Sequence, residues 1–432
     1  MHPFMRNWPS EIHLKPQKHP TLVIGIVRKR ITIIKVGFMY ISTRKKLNTL
    51  IKQLRGTPVL AVDTEFIREN HYYPQLEIIQ MATSEIEAII DFRAVKTLKP
   101  FSEILSDPAT VKLFHAAEQD LEIFVHLTGS VPMPLFDTQV ASAMVGLGAQ
   151  VGYARLVETL LHISLDKSET MTDWSRRPLS RSQINYALAD VRYLLPIYEI
   201  LQAKLTEMGR RDWLEEEWAA MADPDSYLRT HPRKAYRRIK GANGLKSYQL
   251  AVLRELAEWR EKEAIRRNRL VGRVVGDHVL LEIARRQPHC LKSLQETRGL
   301  HRREIERNGE MILAAIKRGK ALRRHEWPVF PQGTNPLTPQ EESLVALMQS
   351  WLRARADEIR IAPNYLSTTS QLKRLVTASP SKRHRLPVLQ GWRRRLIGED
   401  LLAIIEGRAS LNWDPHTQKV QLIYSEGGLR NI

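Results

Sequence analysis

A single cysteine, Cys290, stands among 432 residues. No disulfide can therefore form within the chain and no cysteine-based zinc site can be built, which fits a reducing, cytoplasmic setting. Long apolar runs are also missing: nothing reaches the ~18–20 consecutive apolar residues that a membrane helix requires, so no membrane partner is expected. The nearest approach, TLVIGIVRKRITIIKVGF at 21–38, is interrupted by Arg28, Lys29 and Arg30 and has no small-residue cleavage site behind it. Residues 1–38 are read as a basic extension, with the ordered chain expected to begin near Met39. A glycine-rich phosphate loop of the Walker type is absent as well, which argues against a nucleotide cofactor.

Negative charge is in short supply: 47 acidic residues face 66 lysines and arginines, a net charge of +19. The deficit is uneven. Residues 39–209 carry 17 basic and 20 acidic side chains, whereas residues 210–432 carry 42 and 26, and residues 1–38 carry 7 and 1. A neutral-to-acidic first half followed by a basic second half points to a polyanionic partner. Arginines mixed with aromatic or apolar residues in RKAYRRIK (233–240), IRRNR (265–269) and GWRRRLIG (391–398) suit phosphate contact with some stacking.

The chain is long enough for two to four domains. STRKKLNTLIKQLRG (42–56) sets Leu47, Leu50, Ile51 and Leu54 on one helical face, with Ser42 or Thr43 as N-cap and Gly56 as the stop. VLAVD (59–63), LEIIQMA (76–82) and EAIIDF (87–92) read as three successive antiparallel strands, because their connections are too short for a crossover helix. VKLFHA (111–116) reads as a fourth strand, after a helical stretch around Leu98–Leu105. Helices are expected at 118–127, 138–147, 153–161 and 182–208, giving a mixed sheet covered by helices over 39–209. Residues 210–243 read as a linker, 244–322 as a first helical domain, 323–336 as a second linker, 337–413 as a second helical domain, and 414–432 as a tail. The two helical blocks echo each other. Trp259 and Pro288 have the same spacing as Trp351 and Pro380, and GEMILAAIKRG (309–319) parallels GEDLLAIIEG (398–407), a repeat near 90 residues.

Four acids stand in otherwise apolar segments: Asp63 and Glu65 in VLAVDTEF, Asp120 in AAEQDLEIF, and Asp190 in INYALADVRYLL. A carboxylate so placed is costly unless something neutralises it. No basic partner lies nearby in sequence, so one shared site for divalent cations, Mg²⁺ or Mn²⁺, is the economical reading. Asp63 and Glu65 are two apart on a strand and share a face. Asp120 should open a helix. Tyr186 and Asp190 are at i and i+4 of a helix introduced by Ser180–Gln183 as a capping box, which sets phenol and carboxylate one turn apart.

The segments DTEFIRENHYYPQLEIIQ (63–80), FHAAEQDLEIF (114–124) and YALADVRYL (186–194) resemble the three motifs of the DEDD exonuclease superfamily in its tyrosine-bearing branch. Asn185–Tyr186 occupies the region where the other branch places a histidine. Within the superfamily the long first motif, with Tyr72, Tyr73, Pro74 and Gln80, and the segment TDWSRRPLS (172–180) resemble the ribonuclease D family. The repeated block resembles the helicase-and-RNase-D C-terminal (HRDC) domain. The resemblance spans residues from about 40 to about 413. It implies an α/β architecture: a ribonuclease H-like mixed-sheet exonuclease domain followed by two all-α helical-bundle HRDC domains. It further implies 3′-to-5′ trimming of RNA, with precursor tRNA as substrate and 5′-mononucleotides as products. Two ions would be held by Asp63, Glu65, Asp120 and Asp190, and Tyr186 would orient the attacking water. A DNA exonuclease of the same chemistry and a non-catalytic nucleic-acid-binding protein are the competing expectations.

Overall fold

The computed structural model describes residues 37–166, 169, 172–228, 231–329, 337–425 and 428–429. The expected extension therefore lies almost wholly outside the described residues. Two compact units emerge. One gathers residues up to Glu65, Leu76–Tyr227 and the chain from Leu337 on; the other gathers Phe66–Gln75 and Leu228–Pro336.

The first unit is built on a six-stranded mixed sheet. Its strands are β1 (Gly37–Ile41), β2 (Val59–Ile67), β3 (Gln75–Ala82), β4 (Ile86–Asp91), β5 (Val111–Phe114) and β6 (Leu135–Asp137), in the order β1-β4-β3-β2-β5-β6. β3 and β4 are antiparallel, while β1 runs parallel to β4, β2 to β5 and β5 to β6. The expected antiparallel meander thus holds for β3–β4. β1 starts at Gly37, ahead of the anticipated start at Met39, and β6 was not foreseen. Both are short, and their strand character comes from the neighbour they pair with. The helix Arg44–Leu54 buries the four anticipated residues Leu47, Leu50, Ile51 and Leu54, and the Thr43 hydroxyl accepts from the Lys46 N–H at 3.3 Å. The long helix expected over 182–208 is two helices, Arg181–Arg192 and Leu194–Glu207, which meet at Tyr193. Pro196 lacks the N–H that would bond back to Arg192, so the helical ladder cannot run through unbroken.

The second helical block is not a free-standing bundle. Its residues enter the same apolar core as the helices that follow the sheet: Trp392 stacks on Trp213 with centroids 5.0 Å apart and planes at 12°. Around this pair Arg393 reaches Glu217 and Arg395 reaches Asp212, at 2.7 and 2.6 Å. Gly391 has φ +51°, and a Cβ there would collide with the Glu216 carboxylate, which accepts from the Trp392 N–H at 3.0 Å. Nor is the block all helical. It ends in a three-stranded antiparallel sheet, β7 (Ala409–Asp414), β8 (Lys419–Tyr424) and β9 (Gly428–Leu429), so the residues anticipated as a tail supply β8 and β9. Trp392→Ala is expected to destabilise the first unit by about 3–5 kcal/mol, as large-to-small changes of buried aromatics do. Chemical denaturation checks this: a loss below about 1 kcal/mol would mean that the block folds independently of the sheet.

In the second unit the helices Ser247–Arg267 and Arg302–Ala321 pack so closely that a Cβ on Gly319 would meet the Val252 backbone. Tyr72, from the segment between β2 and β3, is 1% exposed in this unit's core. Its hydroxyl donates to Glu261 at 2.5 Å, and the N–H groups of Tyr72 and Tyr73 both donate to Asn268 Oδ1 at 3.1 Å. Among the described residues no helix is long and apolar enough to cross a membrane.

Candidate active site

Each motif reaches the site through a local structural cause. Asp63 and Glu65 project from one face of β2, as strand alternation requires, and both are half-buried. Asp120 lies in the first turn of the helix Glu118–Thr128, whose N-cap position is Ala117, a residue with no side chain to cap it. Asp137, at the end of β6, fixes the turn just ahead of the helix instead. Its carboxylate accepts from the N–H groups of Ala116 and Ala117 at 3.1 and 2.8 Å, and from Gln139 at 2.8 Å. This holds Ala116 at φ +58°, a left-handed conformation that an alanine seldom adopts unaided. The helix Arg181–Arg192 begins with the anticipated capping box between Ser180 and Gln183, each bond 3.0 Å, and so presents Tyr186 and Asp190 one turn apart.

The structure brings Asp63, Glu65 and Asp190 together: one carboxylate oxygen from each lies within 4.8 Å of the others. Asp120 stands outside that tight group. It is 6% exposed and accepts a short hydrogen bond from the Thr64 hydroxyl, next to both β2 acids in sequence. Gln80, fully buried on β3, donates from Nε2 to Asp63 Oδ2 at 3.2 Å, and its own Oε1 is buried without a hydrogen-bond partner among the described residues. Tyr186 is half-buried with its ring 6.1 Å from that of Trp174. The Trp174 segment is pinned by Arg177, whose guanidinium forks onto Asp91 at 2.6 and 2.9 Å and donates to the carbonyls of Trp174 and Glu77 at 2.7 and 3.2 Å.

Thr64 and Asp137 were not anticipated as site residues. Asp137 had a readable signal, an aspartate directly before a helix. Thr64 had none, because its partner comes from another motif 56 residues away.

Among the described residues no lysine or arginine pairs with any of the four acids. Burial, reinforced by the charge of Asp190, pushes Asp63 well above the usual carboxylate range. Burial and Asp63 do the same to Asp120. Glu65 rises to about 9, from burial first and then the charges of Asp63, Asp190 and Asp120; burial lifts Asp190 to about 7. Converging oxygen donors that repel one another and have no cation of the protein's own fit a hard divalent ion.

A pH dependence follows. In the ion-free protein these groups hold protons that the unfolded chain releases near pH 4. Their contribution to stability is therefore greatest below pH 4 and declines as pH rises towards about 9, the value Glu65 reaches. A bound divalent ion cancels the repulsion and needs the carboxylates ionised. Mn²⁺ is expected to raise Tm more at pH 8 than at pH 5, relative to EDTA. Equal gains at the two pH values would mean that the cluster does not hold the ion.

Comparison with known proteins agrees with this geometry. A family model described as a 3′-5′ exonuclease matches residues 38–206, and an HRDC domain model matches residues 249–316. The chain is 40% identical over 377 residues to a ribonuclease D of Granulibacter bethesdensis, covering 87% of this chain and 94% of that protein. It is 37% identical to a ribonuclease D of Pseudomonas paraeruginosa, covering 82% and 94%. Among solved structures it is similar to Escherichia coli RNase D, described as an exoribonuclease involved in structured RNA processing, with a TM-score of 0.77, 32% identity, and coverage of 86% of this chain and 99% of that one. With relatives matched along nearly their whole length, and with acids of the first and third motifs converging on one site, the chain belongs to the ribonuclease D family.

Proposed function

We propose that this protein is a 3′-to-5′ exoribonuclease that trims the 3′ ends of precursor tRNA in the cytoplasm, releasing 5′-mononucleotides. The observation that carries the reading is the convergence of Asp63, Glu65 and Asp190 from segments more than 120 residues apart, one helical turn from Tyr186. Two divalent ions, Mg²⁺ or Mn²⁺, would be held by these three carboxylates together with Asp120. Bound there, they would supply positive charge at the scissile phosphate and the departing 3′-oxygen.

The chain's own residues supply the rest. Gln80 donates to Asp63 and fixes which of its oxygens faces the site. Thr64 holds Asp120, and Asp137 fixes the turn from which Asp120 emerges. The Tyr186 hydroxyl orients the attacking water through a hydrogen bond and assists its deprotonation. A bond forms between the water oxygen and phosphorus, the bond to the 3′-oxygen breaks, and that oxygen takes up a proton. Trp174 lies against the Tyr186 ring and limits its movement.

The basic C-terminal region holds the body of the RNA. We read residues 337–413 as a diverged second copy of the HRDC domain. The long helices Ser247–Arg267 and Pro339–Glu358 occupy matching places and bury Trp259 and Trp351 alike, each 6% exposed.

The test is digestion of a 3′-extended tRNA precursor with and without EDTA, resolving products by size, beside a DNA strand of the same sequence. Stepwise 3′ shortening that EDTA abolishes and that spares DNA is the expected result. Internal cuts, or equal attack on DNA, which lacks the 2′-hydroxyl, would overturn the reading.

A further inference from the structure

The second helical block and the C-terminal hairpin enclose a groove of about 720 Å³ that the exonuclease chemistry leaves unused. One wall is the helix Pro339–Glu358; the other is the inward face of β7–β8. That face reads Ala409, Leu411 and Trp413 on β7, opposite Tyr424, Leu422 and Val420 on β8. Ala409 and Leu422 are buried, as the core side of a hairpin should be, but Trp413 overruns the covered part and stays 57% exposed. It is a large ring on the core-facing side that the described residues leave largely uncovered, and it lines the groove.

The charges around it are not equally available. Glu358 is engaged by Arg355 at 2.6 Å, and Arg395 is committed to Asp212 at 2.6 Å. Asp400 is buried and accepts from Trp351 Nε1 at 3.2 Å and the Tyr424 hydroxyl at 2.7 Å. Arg353 and Lys419 are exposed and line the same groove as Trp413, Lys419 from the strand position next to Val420, together with the exposed carboxylates of Asp357 and Glu358. An exposed aromatic ring and two exposed cations lining one groove offer a stack for a base and contacts for the phosphates that follow it. An acidic protein segment would use the cations and leave the ring face bare; a nucleotide uses both.

We propose that this groove is a second RNA-binding site, in which Trp413 stacks a base of the substrate while Arg353 and Lys419 contact its backbone. The inference rests on the exoribonuclease reading and gives it a holding point away from the carboxylate cluster. Such a point keeps the RNA attached while its shortened end re-enters the site.

The experiment measures, in EDTA, the affinity of the full-length protein for a labelled RNA hairpin with a single-stranded 3′ tail, by fluorescence anisotropy. Trp413→Ala should weaken binding about tenfold, within the range for one stacked base, and Trp413→Phe should restore most of it. Arg353→Glu combined with Lys419→Glu should weaken binding and flatten the salt dependence by roughly 1.4 in slope, about 0.7 for each phosphate no longer neutralised. Unchanged affinity in Trp413→Ala, or an unchanged salt slope in the charge-reversed protein, overturns the proposal. If both are unchanged, an acidic protein segment becomes the occupant to test. Hydrolysis of a trinucleotide by the unmodified protein is read in parallel: failure there overturns the exoribonuclease reading itself, whereas failure of the variants to differ overturns only the groove.

Discussion

Asp190→Asn is expected to abolish hydrolysis, by about 10³-fold or more, and at the same time to leave the ion-free protein as stable as before or more so. Both halves follow from one arrangement. The Asp190 carboxylate lies within 4.8 Å of those of Asp63 and Glu65, and no lysine or arginine pairs with it among the described residues. Removing its charge takes a ligand from the ion, whose charge stabilisation in the transition state amounts to several kcal/mol, each ~1.4 kcal/mol being tenfold in rate. The same change removes a repulsion that raises Asp63 and Glu65 in the ion-free state. Asp63→Asn should behave alike, with the Gln80 amide still able to donate to the new side-chain oxygen. The measurement is paired: turnover on a single-stranded RNA with Mg²⁺ or Mn²⁺, and Tm in EDTA. Near-normal turnover would sink the assignment of these acids to the ion. A large fall in Tm would mean that they hold the fold rather than the metal.

The second large effect is that of Tyr186→Phe. The ring stays, so its packing against Trp174 is kept, and only the hydroxyl is removed. Positioned groups that assist proton transfer contribute ~10²–10⁴-fold, and a drop of that size is expected in kcat with little change in KM. The split matters more than the size. A tyrosine that gripped the substrate in ground and transition state alike would raise KM and leave kcat intact. Arg177→Ala, which releases the segment carrying Trp174 without touching Tyr186, should reproduce a milder form of the kcat loss.

Much of the site was legible before the structure because its signals are local. A capping box, an i, i+4 pair and a two-residue spacing on a strand need only the nearest neighbours to be recognised, and Ser180–Gln183, Tyr186 with Asp190, and Asp63 with Glu65 all fold as their spacing dictates. The helix Arg44–Leu54 was readable for the same reason, since its apolar face repeats within two turns. The separation of Asp120 from the tight carboxylate group was not legible, because Asp120 is held by a threonine 56 residues away, on the strand that carries Asp63 and Glu65. Tyr72 shows the same limit. Its position in the first motif ties it to the exonuclease domain, yet its ring lies in the core of the other unit, bonded to Glu261.

Sequence by itself thus determined which residues carry charge into apolar surroundings, the central strands and most helices of residues 42–208, and that a basic half follows an acid-bearing one. The helix Arg211–Met221 reads as linker in the sequence, yet its Trp213, Leu214 and Trp218 are buried in the core. Only the tertiary structure decided where three carboxylates meet, which strands close the sheet, and that Trp392 completes the core begun by Trp213. The division has a physical cause. Periodicity and capping are written in contacts between residues a few positions apart. Strands as short as β1 and β6, and an aromatic stack between residues 179 positions apart, acquire their free energy from partners that chain order does not reveal.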